Sequence, residues 1–174
     1  MIKAYFLMGD QDISVPLDIR TKVFVEEQGF SQELQHDEMD KKAVHVVIED
    51  DGFPCATGRL FFDDGLWHIG RMAVLKERRG NRYGDLMIRM LAEKAFRAGV
   101  EEIHIGAQAY ALGFYEKLGF LICGEEYAEE GVAHLPMVLT VSRAQEVLFG
   151  HSGCGGCGEK SAAGCEGCGG CSGR

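Results

Sequence analysis

No hydrophobic stretch in this chain of 174 residues approaches the roughly 20 consecutive apolar residues that cross a bilayer. The opening MIKAYFLMGD has an apolar run too short for a secretory signal and lacks a small-residue cleavage site. A cytoplasmic protein with no membrane partner is expected. A cationic surplus is missing too: 18 Lys and Arg stand against 27 Asp and Glu, a formal net charge of −9. Nucleic acids and anionic membranes call for a net cationic face, so neither is expected as a partner. A cationic substrate such as an amine remains compatible. Cysteine is scarce through residue 149, where only Cys55 and Cys123 occur.

What is present suits one globular domain with a full core, at 46% hydrophobic and 26% charged residues. The texture changes after Phe149. Residues 150–174 read GHSGCGGCGEKSAAGCEGCGGCSGR, with five cysteines, ten glycines and almost nothing that could form a core. Burial cannot offset the ordering entropy of such a segment. The domains are therefore read as 1–149 and 150–174, with nothing to choose between a monomer and a homodimer. Cys154, Cys157, Cys165, Cys168 and Cys171 follow the spacing C-x2-C-x7-C-x2-C-x2-C. Paired C-x2-C units bring thiolates to one centre, so the spacing favours zinc or another thiophilic metal, with an iron–sulfur cluster as an alternative. The bland alternative is an unstructured appendage with exposed thiols.

Residues 1–149 alternate between element types. Strands are expected at 2–8, 43–48, 55–62 and 66–74, the last two joined through Asp63-Asp64-Gly65. A helix is expected over 16–28, with Pro16 near its first turn, and a loop or short helix over 31–42. Met87, Ile88, Leu91, Ala95 and Ala98 recur at helical spacing, which predicts a helix over 83–98 capped by Gly99. A short strand at 103–106, a helix at 109–118 and closing strands at 120–124 and 134–141 complete the series. The fold class is α/β (α+β): helices covering a mixed, mostly antiparallel sheet.

The segment IGRMAVLKERRGNRYGDLMIRML reads as strand, short loop and helix. Backbone N–H groups at a helix start lack partners, and the dipole there favours anions. Gly80 and Gly84 allow close approach, while Arg78, Arg79 and Arg82 add positive charge. An exposed basic helix start with no ligand is the alternative, and charge–dipole logic disfavours it. Downstream, IHIGAQAYALGFYEKLGF carries Tyr115 on a short helix, either as a packing residue or as a proton donor beside the loop.

Together the two segments resemble the GNAT superfamily of N-acyltransferases. Arg79, Gly80, Asn81, Arg82, Tyr83 and Gly84 occupy that family's pyrophosphate-loop pattern Gln/Arg-x-x-Gly-x-Gly/Ala, and FYEKLGF at 114–120 is similar to its motif after the fifth strand. VFVEEQ, DEMD with AVH, IGRMAV, AQ and EEGVAH sharpen the likeness toward the ElaA-like branch. The resemblance covers most of residues 1–141 and not the tail.

The resemblance implies the GNAT fold and transfer of an acetyl group from acetyl-CoA to a small-molecule or peptide amine. It places acetyl-CoA in a splay between the strands at 66–74 and 103–106, with the backbone of Met72, Ala73 and Val74 along the pantetheine arm and one amide polarising the thioester carbonyl. It puts the stretch from Arg79 through Gly84 to Asp85 at the pyrophosphate, and Gln108 near the pantetheine or a water. Tyr115 becomes the acid that protonates the departing thiolate. Arg82 stands where the family has its middle glycine; if that position needs positive φ, the arginine costs about 1 kcal/mol or somewhat more. Candidates for the base and the acceptor pocket are Glu27, His45 and His134, with Arg71 and Arg59 pairing nearby acids or binding an acidic part of the substrate. Each has a structural alternative, as a solvated or hydrogen-bonded residue. A binding protein that senses CoA or metal without turnover is the rival reading.

Overall fold

The computed structural model describes residues 1–32 and 36–150. The five tail cysteines considered as metal ligands lie outside the described residues. In chain order the elements are β1 (Ile2–Met8), α1 (Ser14–Arg20), a π-helical turn (Thr21–Glu27), a 3-10 turn (Glu38–Lys42), β2 (Val44–Asp50), β3 (Phe53–Asp63) and β4 (Leu66–Val74). Then follow α2 (Tyr83–Arg97), β5 (Glu102–Gln108), α3 (Leu112–Lys117), β6 (Leu121–Ile122), β7 (Tyr127–Glu129), β8 (Val132–Thr140) and α4 (Val141–Val147). No helix among the described residues is long and apolar enough to cross a membrane.

The sheet runs β1-β2-β3-β4-β5-β8-β6, with β7 also paired to β8. All pairings are antiparallel except β4 with β5. Three hairpins turn through an acidic residue and a glycine, both at positive φ: Asp51-Gly52, Asp64-Gly65 and Glu130-Gly131. Such turns match the right-handed twist of the strands they join.

Helix α2 buries Met87, Ile88, Leu91, Ala92 and Ala95 against Val46, Ile48, Leu60, Ile69, Ile103 and Ile105. Its 3.6-residue period presents those positions to one sheet face. Ala144 and Leu148 extend the same core. A second cluster joins Ile19, Val23 and Phe24 to Ala73 of β4.

Several elements differ from the sequence reading. The helix expected over 16–28 starts at Ser14 and widens into the π-helical turn after Arg20. That expected over 109–118 divides into a 3-10 turn (Ala109–Ala111) and α3. The strand expected over 120–124 shrinks to Leu121–Ile122, whose ladder partners are Val138 and Met137 of β8. Strand β7 and helix α4 were not anticipated. Thr140 starts α4, its hydroxyl accepting from the Arg143 amide.

Under α1 the sheet carries buried charge. Arg20 grips Asp40 at 2.7 and 3.2 Å. Arg59 bonds Asp40 at 2.6 Å and Asp37 at 2.6 and 2.7 Å. Asp40 is 0% exposed, Arg20 1% and Arg59 4%. The pairing of Arg59 with the acids at 37 and 40, one of the expected alternatives, is the arrangement found.

Candidate active site

Strands β4 and β5 pair only at Trp67–Ile103 and His68–His104. Beyond His68 they share no ladder pairs, so the sheet splays open between them. A bulge accompanies the splay. Thr57 faces Ala73 and Arg59 faces Gly70, which leaves Arg71 and Met72 together opposite Gly58. Arg71 sits at φ 52°, a left-handed backbone that costs a non-glycine residue about 1–2 kcal/mol. A methyl on Gly58 would clash with the Met72 sulfur and displace that side chain. Bulges re-aim side chains in this way and recur beside active sites.

Two cavities fill the splay. The smaller, about 180 Å³, is lined by Ile69–Met72 of β4 and by Ile105, Gly106 and Gln108 of β5. The larger, about 710 Å³, lies at the start of α2. They meet at Gln28, Met72, Tyr110, Ala111 and Tyr115, which line both.

The larger cavity gathers Met72, Val74, Arg79, Gly80, Arg82, Tyr83, Gly84 and Asp85 from the expected acetyl-CoA set. Gln108 lies in the smaller one. Ala73 and Asn81 line neither. The Ala73 side chain is buried against the α1 layer, and the Asn81 amide donates to the Arg78 carbonyl at 3.0 Å. Tyr83 is buried, and a hydrogen bond to Asp50, followed by burial, pushes its phenol up.

At the start of α2, Arg82 occupies the N-cap position at φ 63°, ψ 20°, with no side-chain cap. The first-turn amides therefore take no side-chain acceptor, as at an anion site. A Cβ on Gly84 would come within 3.1 Å of the Phe114 ring, which lines the same cavity. The arginine at the middle position does adopt the strained conformation. Its guanidinium leans outward onto Asp85 at 2.8 Å, with its side chain 81% exposed. The bare residues on either side, Gly80 and Gly84, keep the loop open.

Tyr115 stands at the junction of the two cavities, edge-on to Phe114 and Phe120. Burial, and after it the neighbouring Tyr110, pushes its phenol up to about 12, so the hydroxyl keeps its proton at any physiological pH.

The base candidates part company. Arg79 holds Glu27 with two bonds of 2.7 and 2.6 Å, and its hydrogen bonds keep that carboxylate below its ordinary value. Glu27 lines neither cavity. His45, expected to reach the cleft, does not: it is 1% exposed, and its Nε2 meets the Asp40 carbonyl at 3.0 Å. Strand alternation turns it toward the buried arginines, opposite Arg59 in the ladder. His134 does line the smaller cavity. Its Nδ1 lies 2.8 Å from the Val132 carbonyl, which only accepts, so in the neutral imidazole Nδ1 is the donor and Nε2 has the lone pair. Among the described residues Nε2 has no hydrogen-bond partner. Arg71 also lines this cavity, 3.3 Å from Asp37 and 3.7 Å from Glu129.

Some neighbours of this site escaped the sequence reading. Tyr127 pairs with His134 across β7 and β8 and stacks on it at 5.6 Å. Its hydroxyl occupies the space a methyl on Gly106 would take. Glu129 and Glu130 line the smaller cavity, and Glu130 accepts from the Ser31 amide and hydroxyl at 3.0 and 3.1 Å. Gly131, a turn-favouring residue just before Val132, was the available signal.

Residues 8–141 match the family described as Acetyltransferase (GNAT) domain. The chain is 30% identical over 138 residues to a Bacillus subtilis protein named as an N-acetyltransferase, YjcF, covering 79% of this chain and 99% of that one. It is 31% identical over 133 residues to Escherichia coli ElaA, covering 74% and 87% of the two chains. The ElaA crystal structure superposes with a TM-score of 0.70 at 27% identity, over 79% of this chain and 99% of that one. A GNAT family acetyltransferase from Elizabethkingia anophelis, solved with acetyl-CoA bound, shares the fold with a TM-score of 0.63 at 17% identity, over 80% and 98% of the chains. The chain belongs to the GNAT acetyltransferases, and it is an acyltransferase of that family with ElaA among its relatives.

Proposed function

We propose that the protein transfers the acetyl group of acetyl-CoA to the primary amine of a small molecule or peptide. The observation that carries this reading is the meeting of the two cavities at Met72 and Tyr115, inside the splay of β4 and β5. One has the uncapped start of α2 at its wall and suits a diphosphate; the other holds His134 and suits an acceptor. The bare Gly80 and Gly84 and the structure of a relative holding acetyl-CoA support the same cosubstrate.

Bound acetyl-CoA supplies an activated acyl group as a thioester. The backbone from Arg79 to Gly84 and the α2 dipole hold its diphosphate. The strand backbone at Met72–Val74 lies along the pantetheine arm, and one amide there polarises the carbonyl. His134 Nε2 takes a proton from the amine nitrogen, with Gln108, its ladder partner, orienting the amine or a water. As the N–C bond forms and the C–S bond breaks, the Tyr115 hydroxyl donates to the leaving sulfur. The amine's proton replaces the one given to the thiolate, so the products are an N-acetyl amine and CoA thiol. Residues 1–149 make up the acyltransferase unit, with 150–174 as a separate appendage.

Thiol release from acetyl-CoA over an amine panel tests the reading. Wild-type turnover that falls about a hundredfold in Tyr115→Phe is expected. Acetyl-CoA binding without release for any amine would overturn it. Truncation after Phe149 should leave the rate unchanged.

A further inference from the structure

We infer that the acceptor is a small amine bearing a second positive charge, an α,ω-diamine, with Glu129 as the residue that selects it. The inference rests on the acetyl-transfer reading and names the substrate class of the same site.

The two cavities differ in charge. Among the described residues, the larger is lined by five basic side chains and one acidic, Asp85. The smaller is lined by one basic side chain, Arg71, and two acidic ones, Glu129 and Glu130. Asp37, outside that lining, draws part of the Arg71 charge away from the cavity, 3.3 Å from its guanidinium. The smaller cavity thus carries the opposite sign, which attracts a cation and repels an acceptor carboxylate.

Its two glutamates are not equivalent. Glu130 is committed to the Ser31 amide and hydroxyl. Glu129 lies 3.7 Å from Arg71, beyond hydrogen-bond distance, and its side chain is 47% exposed. Its oxygens can take charge-assisted bonds from an ammonium group. The aromatic wall points the same way, because Phe24 and Phe30 line the cavity and aromatic faces attract cations while their bodies pack an alkyl stem.

His134 supplies an independent observation. It is 6% exposed, lines the cavity and presents an Nε2 with no hydrogen-bond partner among the described residues. The nitrogen to be acetylated belongs there, stripped of its proton. The charge recognised at Glu129 must then sit on a different nitrogen. Glu129 follows Tyr127, the ladder partner of His134, by two residues on the same strand face, about 7 Å along β7. A short alkyl chain bridges that separation. A cavity of about 180 Å³ also favours a small acceptor, since a void of roughly 150 Å³ accommodates benzene.

The test compares three amines of equal carbon length: putrescine with a terminal cation, n-butylamine with none, and γ-aminobutyrate with a carboxylate. Full-length protein and Glu129→Gln are assayed by thiol release, with product identified by mass spectrometry. For the wild type we expect kcat/KM for putrescine about tenfold above n-butylamine, and γ-aminobutyrate lowest. In Glu129→Gln the preference for putrescine collapses, through KM and not kcat, and added salt erodes the wild-type preference in the same way. Equal use of putrescine and n-butylamine overturns the inference, as does a lead for γ-aminobutyrate or a preference that survives Glu129→Gln; each leaves acetyl transfer standing. Acetylation of a peptide amine with none of the three turned over also overturns the diamine class alone. Failure of every amine tested to release thiol defeats the transfer reading itself, and the inference with it.

Discussion

Arg79 clasps Glu27 through two bonds, 2.7 and 2.6 Å long, and so ties the loop before α2 to the π-helical turn packed on β4. One residue had been read as part of a phosphate cradle and the other as a base. Each neutralises its partner. A carboxylate held as an anion by a guanidinium accepts protons poorly. Glu27→Gln is therefore expected to keep kcat within about threefold, whereas His134→Gln lowers it about a hundredfold. Steady-state rates with a saturating amine check both. The reverse order would make Glu27 the base.

Arg82 offers a test of backbone strain. At φ 63° it pays a left-handed penalty that glycine escapes, and its exposed pair with Asp85 returns little. The greater freedom of glycine in the unfolded chain cancels part of the gain. Arg82→Gly should raise stability by up to about 1 kcal/mol, while Arg82→Val, strained and without the pair, lowers it. Urea titration of both variants decides the matter.

The buried ionic network makes the opposite kind of prediction. Asp40 is wholly buried between Arg20 and Arg59. Asp40→Ala leaves both guanidinium groups under-compensated in the interior and should cost about 3–5 kcal/mol. Equilibrium denaturation measures this loss; a change under 1 kcal/mol, on the order of a surface pair, would contradict it.

Acid should weaken the same region. Burial would raise the Asp37 carboxyl, but hydrogen bonds from Arg59 and the charges of Arg59, Arg71 and Arg20 outweigh it and hold it at about 2, below the ordinary 3.8. A group depressed on folding stabilises the protein above its unfolded value and loses that contribution as pH falls toward its folded value. Stability carried by Asp37 is therefore intact above about pH 4 and fades between pH 4 and 2. Arg59→Met, which removes the main partner, should flatten stability across that window in pH-dependent melting curves.

Much of this architecture was legible because local periodicity governs it. The stripe Met87, Ile88, Leu91 and Ala95 marked α2, and Gly80 and Gly84 marked the loop before it. The splay came from the family resemblance and not from the residues themselves, since strand pairing that stops after two residues depends on long-range geometry and leaves no mark in either strand's composition. The Arg71–Met72 bulge was equally silent; an arginine at positive φ runs against local preference and is tolerated only because Gly58 and the ion pairs of Arg71 hold it. Strand β7 is three residues long with none of them buried, so no burial pattern announced it. With β7 unseen, Tyr127 and Glu129 could not be placed beside His134.

Gly84→Glu should abolish detectable acetyl-CoA binding by calorimetry. The added side chain starts 3.1 Å from Phe114 and carries its charge into a cavity suited to diphosphate. Affinity equal to wild type would place the diphosphate elsewhere.

The most direct measurement is a crystal structure of the protein with acetyl-CoA. Density is expected for the diphosphate against residues 79–84 and for the thioester between β4 and β5, its sulfur within hydrogen-bonding reach of the Tyr115 hydroxyl. Acetyl-CoA bound with that gap vacant, or with its sulfur remote from Tyr115, would contradict the account.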